Sequence, residues 1–120
     1  MRVLVVEDDP AVREMTAELL RFNGYSVLTA ANGELALRQL RESSIDIVLS
    51  DIMMPVMDGV QMLMRMRADP ALASIPVMLV SAYPDPRSGI PGDALQRTHF
   101  LRKPFGEDAM LAALESVKAS

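Results

Sequence analysis

Cysteine is absent from this 120-residue sequence, and histidine occurs once. The lack of cysteine excludes disulfides, thiolate nucleophiles and cysteine zinc sites, and it fits a cytoplasmic protein. No apolar run reaches the ~18 residues of a membrane span, so we expect no membrane contact. The formal net charge is −4 and the basic residues are scattered. This argues against direct nucleic-acid binding, which requires clustered positive charge.

Half of the residues are hydrophobic, and they form two alternating kinds of segment. Short apolar runs predict strands at residues 3–6, 25–30, 45–51, 77–80 and 100–101. Capping residues and helical spacing predict helices that begin near Pro10, Asn32 and Asp58, and a terminal helix around residues 110–117. The apolar residues that indicate the first helix are Val12, Met15, Leu19 and Phe22. At this length we expect a single domain over residues 1–120.

Strands that alternate with helices predict a doubly wound, flavodoxin-like α/β sandwich around a five-stranded parallel sheet. The first, third and fourth runs are continuously apolar, as in strands covered on both faces, whereas the second and fifth contain polar residues and suit the sheet edges. The strand order 2-1-3-4-5 satisfies this division. Ligands bind such sheets beyond the carboxyl ends of the strands, where the sequence places Glu7, Asp8, Asp51, Ser81 and Lys103.

Three carboxylates at one sheet edge need a compensating charge. Each pair of charges 4 Å apart repels by ~1 kcal/mol in water and ~4 kcal/mol at an effective dielectric of 20. Taken singly, each residue has a simpler explanation as a helix cap, a strand end or a solvated charge. Together, oxygen ligands without imidazole or thiolate indicate a hard divalent cation such as Mg²⁺. A carboxylate beside such an ion, an ammonium and a hydroxyl is equipped to accept a phosphoryl group.

Four motifs, VLVVEDDP, SDIMMPVMDG, Ser81-Ala82 and LRKPF, resemble the receiver domain of two-component response regulators in their order and spacing. The resemblance covers essentially the whole chain. It implies that Asp51 takes a phosphoryl group from a phosphohistidine of a sensor histidine kinase or histidine phosphotransfer protein. The implied protein is a signalling switch acting on a downstream protein. It is not an enzyme beyond weak self-phosphorylation and autodephosphorylation.

The same resemblance implies a set of metal ligands. Asp8 and Asp51 bind Mg²⁺ directly in this interpretation, with Mn²⁺ as a substitute. Glu7, which stands where aspartate is more usual, acts through a water molecule, and the backbone carbonyl of Met53 completes the protein ligands. Carboxylate and carbonyl oxygens are the donors that these ions prefer.

A second group of residues is implied to hold and report the phosphoryl group. Ser81 and Lys103 each contact one of its oxygens, and a cis peptide between Lys103 and Pro104 aims the lysine. Ser81 and the aromatic residue Phe100 move as the switch. Hydrolysis is influenced by Met53 and Tyr83, neither of which activates water well, so a long-lived acyl phosphate is expected.

The segment SAYPDPRSGIPGDALQRTHF departs from the family, which has a full fourth helix here. Its prolines and glycines predict that this helix is short, with at most a turn or two at residues 93–97, or is replaced by a loop. We hypothesise that residues 84–92 are mobile and become ordered on phosphorylation or partner binding. This expectation rests on the prolines in the segment, Pro84, Pro86 and Pro91.

Several alternatives stay open. In one alternative the chain is a stand-alone regulator, which acts as a phosphorelay intermediate or a phosphate sink. In the other it is a piece of a hybrid kinase or of a larger regulator. An aspartyl-phosphate phosphatase requires a second acid where Met53 stands, and a nucleotide binder requires a glycine-rich loop where the acidic residues follow the first strand. His99 suits an edge strand better than a metal site. The methionines of residues 53–66 suit the core, with a partner surface near Met57 and Met64 as the second alternative.

Overall fold

The computed structural model describes residues 1–82 and 90–119 of the chain. Strands and helices alternate along it, and the strands are β1 (Arg2–Val6), β2 (Ser26–Ala30), β3 (Ile47–Asp51), β4 (Val77–Ser81) and β5 (Thr98–Arg102). The α-helices are α1 (Pro10–Phe22), α2 (Gly33–Glu42), α3 (Gly59–Ala68) and α4 (Glu107–Ala119). All five strands pair in parallel in the order β2-β1-β3-β4-β5. The predicted fold class and strand order are therefore confirmed.

The sheet is covered on both faces, and the alternation of side chains along each strand divides the core in two. Leu4, Val6 and Val48 pack on the side of α2 and α3. Val3, Val5 and Ile47 pack on the side of α1 and α4. Strands β1, β3 and β4 supply side chains to both clusters, which explains the continuous apolar runs within them.

Helix α1 presents a different face to the core than its most apolar stripe suggests. Of the predicted stripe, Leu19 is partly buried against the core, whereas Met15 is 65% exposed and Phe22 is 89% exposed. Ala17 and Leu20 are fully buried. The helix itself begins at Pro10 as predicted, with the Asp9 carboxylate accepting hydrogen bonds from two backbone N–H groups of its first turn. Two stripes of apolar residues repeat along α1 with the same helical period, so periodicity alone does not distinguish them. The small side chain of Ala17 suits close packing on the sheet.

The connection from β4 to β5 contains a single-turn 3₁₀ helix, Gly92–Leu95. Within residues 77–82 and 90–102, no α-helix is present, in agreement with the predicted short fourth helix. Of the hypothesised mobile segment, the part from Pro84 to Gly89 lies outside the described residues. No helix in the described part of the chain is long and apolar enough to span a bilayer.

Arg67 links this connection to helix α3. Its guanidinium donates hydrogen bonds to the carbonyl oxygens of Ala73, Ile75, Ala94 and Arg97 and to the hydroxyl of Thr98, at 2.8 to 3.4 Å. Burial lowers the pKa of Arg67, with Arg97 adding to the effect. The five contacts join α3, the loop before β4, the 3₁₀ helix and the start of β5.

Candidate functional site

The end of β1 places two carboxylates at the carboxyl edge of the sheet. Glu7 is buried, while the next residue, Asp8, is exposed. The backbone N–H of Glu7 donates to the carbonyl of Ala30 at 3.1 Å and thereby extends the β1–β2 ladder. The backbone N–H of Asp9 donates to Oε1 of Glu7 at 3.1 Å, which holds that side chain against the turn. Asp9 itself caps α1, so only two of the three consecutive acids face the site.

The end of β3 places Asp51 beside those carboxylates. Its side chain is 11% exposed, and its Oδ2 accepts a hydrogen bond from Nζ of Lys103 at 3.0 Å. Lys103 follows β5, and its backbone N–H donates to the carbonyl of Ser81 at 2.8 Å. The peptide bond between Lys103 and Pro104 is cis. Strands β3, β4 and β5 thus each contribute a residue to one small region.

Glu7, Asp8 and Asp51 form an acidic cluster in which one carboxylate oxygen from each lies within 4.8 Å of the others. Burial, together with the charge of Asp51 and hydrogen bonds with Asp51 and Asp8, raises the pKa of Glu7 to about 7, although the hydrogen bond from the N–H of Asp9 opposes this rise. Burial and the neighbouring carboxylates therefore both disfavour the charged form of Glu7. An all-oxygen donor set of this kind fits Mg²⁺.

Ser81 and Phe100 lie on the neighbouring strands β4 and β5. Ser81 is buried at the end of β4, adjacent in register to the strand that precedes Lys103. Phe100, in the middle of β5, packs against the core cluster on the side of α2 and α3. Met53 is 64% exposed in the loop after Asp51. Tyr83 lies outside the described residues.

The loop from Asp51 to α3 is held tightly to its surroundings. The backbone N–H of Gly59 donates to the carbonyl of Ile52 at 2.9 Å. A Cβ at Gly59 would lie 2.5 Å from the carbonyl oxygen of Asp51, so only glycine fits this approach. This packing fixes the backbone that carries the acidic side chain.

The tip of the same loop carries backbone strain. Val56 has a φ of 70°, in the left-handed region that a β-branched residue rarely adopts. The N–H of Met57 donates to the carbonyl of Pro55 at 2.8 Å and closes a three-residue turn around Val56. Strain of this kind costs about 1–3 kcal/mol. The Val56 side chain is 74% exposed, so burial in the core does not compensate for it.

Two features beside the site are not predicted by the sequence, a hydrogen bond of Arg13 and a small cavity. The guanidinium of Arg13 donates a hydrogen bond at 2.9 Å to the carbonyl of Glu7 and steadies the turn after β1. No pattern of side chains in the sequence signals this contact, because its acceptor is a backbone carbonyl. The cavity, about 50 Å³, is lined by Val12 and Thr16 of α1, by Lys103, by Phe105 and by further residues of the strand ends.

The fold and site together define a class of protein, a doubly wound α/β domain with an acidic pocket at the carboxyl edge of its sheet. The family model described as "Response regulator receiver domain" matches residues 3–115. The chain belongs to this family of two-component signalling.

Two curated relatives are longer than this chain. "Response regulator MprA" of Mycobacterium avium (strain 104) is 33% identical over 117 residues, which are 98% of this chain and 50% of that protein. The "Gliding motility regulatory protein" of Myxococcus xanthus is 31% identical over 96% of this chain and 15% of its own length. The chain therefore spans half or less of these two relatives.

Solved structures of similar size share the fold. Chemotaxis protein CheY4 of Vibrio cholerae matches with a TM-score of 0.87 at 32% identity, covering 97% of both chains. The receiver domain of hybrid histidine kinase CckA matches with a TM-score of 0.80 at 36% identity, covering 98% of both. Response regulator TrrA of Thermotoga maritima, in complex with Mg(2+)-BeF, matches with a TM-score of 0.83 at 30% identity over 97% of both.

Three general properties of receiver domains follow from membership of the family. Receiver domains act as signalling switches and are not classical enzymes. They bind Mg²⁺ at an acidic site, and in this chain the acidic cluster consists of Glu7, Asp8 and Asp51. They interact with histidine kinases and phosphotransfer partners.

Proposed function

We propose that Asp51 is the phosphoacceptor of a receiver domain that comprises residues 1–120. The observation that carries this proposal is the convergence of the Lys103 ammonium, 3.0 Å from Oδ2 of Asp51, with the carboxylates of Glu7 and Asp8. An acceptor carboxylate is useful only where the charge of the incoming group is neutralised. The resemblance to a receiver solved with Mg(2+)-BeF supports the same assignment.

In the proposed reaction, an oxygen of Asp51 attacks the phosphorus of a phosphohistidine on a sensor histidine kinase or histidine phosphotransfer protein. The new bond is an acyl phosphate O–P bond, the N–P bond breaks, and the imidazole nitrogen keeps the electron pair and takes up a proton. The Lys103 ammonium moves its hydrogen bond from the Asp51 carboxylate to a phosphoryl oxygen. The buried Ser81 hydroxyl donates a hydrogen bond to another phosphoryl oxygen. These two residues orient the group and spread its charge.

The acidic cluster would hold the divalent ion, with Asp8 and Asp51 as direct ligands, Glu7 acting through a water, and the Met53 carbonyl completing the set. When bound, Mg²⁺, or Mn²⁺ in its place, supplies neutralisation of the charge on the phosphoryl oxygens. Arg13 contributes indirectly, because its hydrogen bond to the Glu7 carbonyl holds the turn from which Glu7 and Asp8 project.

The output of the switch begins at Ser81 and Phe100. Phosphorylation adds a dianionic group beside Ser81, and Phe100 lies on the neighbouring strand at the face of the sheet that packs on α2 and α3. We propose that their movement controls a downstream protein in the cytoplasm. Met53 and Tyr83 offer no group that activates water well, so slow hydrolysis and weak autodephosphorylation are part of the proposal.

The test is incubation with acetyl phosphate and Mg²⁺, followed by intact mass spectrometry. The expected result is the gain of one phosphoryl group, which disappears in Asp51→Asn and persists in the matched variant Asp93→Asn, whose carboxylate lies on the exposed 3₁₀ helix. A folded protein that binds Mg²⁺ and gains no phosphoryl group would overturn the proposal. An undiminished gain in Asp51→Asn would also overturn it.

A further inference from the structure

A solvent-open groove lies on α3 and the loop before it, and its lining includes none of the acidic cluster. Its volume is about 330 Å³, and its lining residues in the described part of the chain are Val56, Met57, Val60, Gln61, Met64 and Arg65. Val56 is 74% exposed and Met64 is 39% exposed. The apolar floor is therefore accessible, and the flexible thioethers of methionine adapt to partners of different shape.

One side of the groove presents hydrogen-bond donors. Oε1 of Gln61 accepts from the N–H of Asp58, and Oδ1 of Asp58 accepts from the N–H of Gln61, so the capping box uses both acceptors. Among residues 1–82 and 90–119, no acceptor takes up the NH₂ donors of Gln61, which lines the groove. Arg65, one turn along α3, adds a guanidinium that forms no ion pair with a carboxylate among residues 1–82 and 90–119. A carboxylate is the complementary acceptor.

The strained turn supplies an independent observation. Val56 holds its φ of 70° although its side chain makes no buried contribution to the fold. Asparagine and glycine adopt this conformation readily, so stability alone does not favour valine. Backbone strain at an exposed apolar residue points to a role at the surface.

We propose that this groove docks an acidic amphipathic segment of a partner protein, which inserts an apolar side chain between Val56 and Met64 and pairs a carboxylate with Arg65 and Gln61. The open shape favours a protein segment over a small molecule, because small-molecule pockets enclose most of the ligand's surface. The surface does not include Asp51 or its neighbours, so the proposal stands or falls separately from the proposed phosphorylation.

The experiment follows amide chemical shifts of the ¹⁵N-labelled, unphosphorylated chain. The probes are two synthetic peptides of about 16 residues, long enough to populate a helix. Both have leucines on one face, and they differ only in flanking glutamates or lysines. We expect the glutamate peptide to shift amides from Val56 to Arg65 and to bind at least about tenfold more tightly than the lysine peptide. Arg65→Glu should reverse this preference, whereas Arg41→Glu, in the last turn of α2, should preserve it.

Val56→Asn separates docking from folding. We expect its thermal midpoint to rise because the turn strain is relieved, while its affinity for the glutamate peptide falls. Equal binding of both peptides, no binding at millimolar concentration, or unchanged affinity in Val56→Asn would overturn the proposal. Concentration-dependent shifts of the same amides in the protein alone would assign the groove to a second copy of the chain and would also overturn it.

Discussion

Lys103 and Asp51, 52 residues apart in sequence, meet as a hydrogen-bonded ion pair with 3.0 Å between Nζ and Oδ2. The lysine is held by the backbone bond from its N–H to the carbonyl of Ser81, and the aspartate by the close packing of Gly59 on its own carbonyl. The pair thus joins the third and fifth strands across β4. It partly offsets the repulsion between Asp51 and the other two carboxylates.

A double-mutant cycle between Lys103→Gln and Asp51→Asn should show a favourable coupling. We expect about 0.5–1 kcal/mol in the metal-free protein, near the range of exposed pairs because the Lys103 side chain is 40% exposed. Urea unfolding of the four proteins measures it. Lys118→Gln, on the exposed surface of α4, should show no coupling to Asp51→Asn. A coupling of zero for Lys103 would mean that the pair contributes nothing to folding.

Asp8→Asn should stabilise the metal-free protein and abolish its stabilisation by Mg²⁺. Removing the charge of the exposed Asp8 relieves its repulsion with Asp51, of the order of 1 kcal/mol, while the ion loses a ligand. Thermal midpoints with and without Mg²⁺ measure both effects. Asp93→Asn should retain the wild-type response to the ion. A full Mg²⁺ response in Asp8→Asn would exclude Asp8 as a ligand.

Gly59→Ala should destabilise the protein by about 1–3 kcal/mol, as overpacking does. Its added methyl group would lie 2.5 Å from the Asp51 carbonyl, against backbone that has little freedom to move. The matched control is Gly92→Ala, where a Cβ meets nothing within 4 Å. Chemical denaturation of both variants gives the comparison. Equal stabilities would show that the loop shifts without cost.

Arg67→Ala should be among the most destabilising changes at a partly exposed position. Hydrogen bonds to a charged group contribute about 1.5–3 kcal/mol, and this guanidinium satisfies acceptors on three segments. Arg65→Ala removes the same side chain from an exposed position on the same helix and should change stability by less than ~0.5 kcal/mol. Denaturant midpoints test the contrast, and similar losses in the two variants would contradict it.

His99 should make the protein less stable as the pH falls below neutrality. Burial lowers the pKa of His99 below its ordinary value of 6.5, so the unfolded chain takes up the proton first. Its contribution is fully present above pH 6.5 and is lost as the pH falls through 6.5 towards the folded-state pKa. The unfolding free energy of the wild type, measured relative to that of His99→Gln, should fall from pH 7.5 to 6.5 to 5.5. A difference that stays constant over this range would show that His99 has no such effect.

Much of the site was predictable because parallel strands deliver their carboxyl ends to one edge. Glu7, Asp8 and Asp51 follow or end apolar runs, and the structure brings their carboxylates together. Arg13 and Arg67 were not predictable, because each donates to backbone carbonyls, and no side-chain pattern marks such acceptors. The Tyr83 assignment stays a prediction.

By itself, the sequence determined the order of strands and helices, the strands that lie inside the sheet, and the polar residues at its edge. These depend on periodicity, burial and connection rules that act along the chain. Only the tertiary structure decided which face of α1 is buried, which carbonyls Arg67 joins, and that Val56 is strained beside an open groove. Those features arise where distant segments meet, and distances between such segments are set by packing of the whole fold.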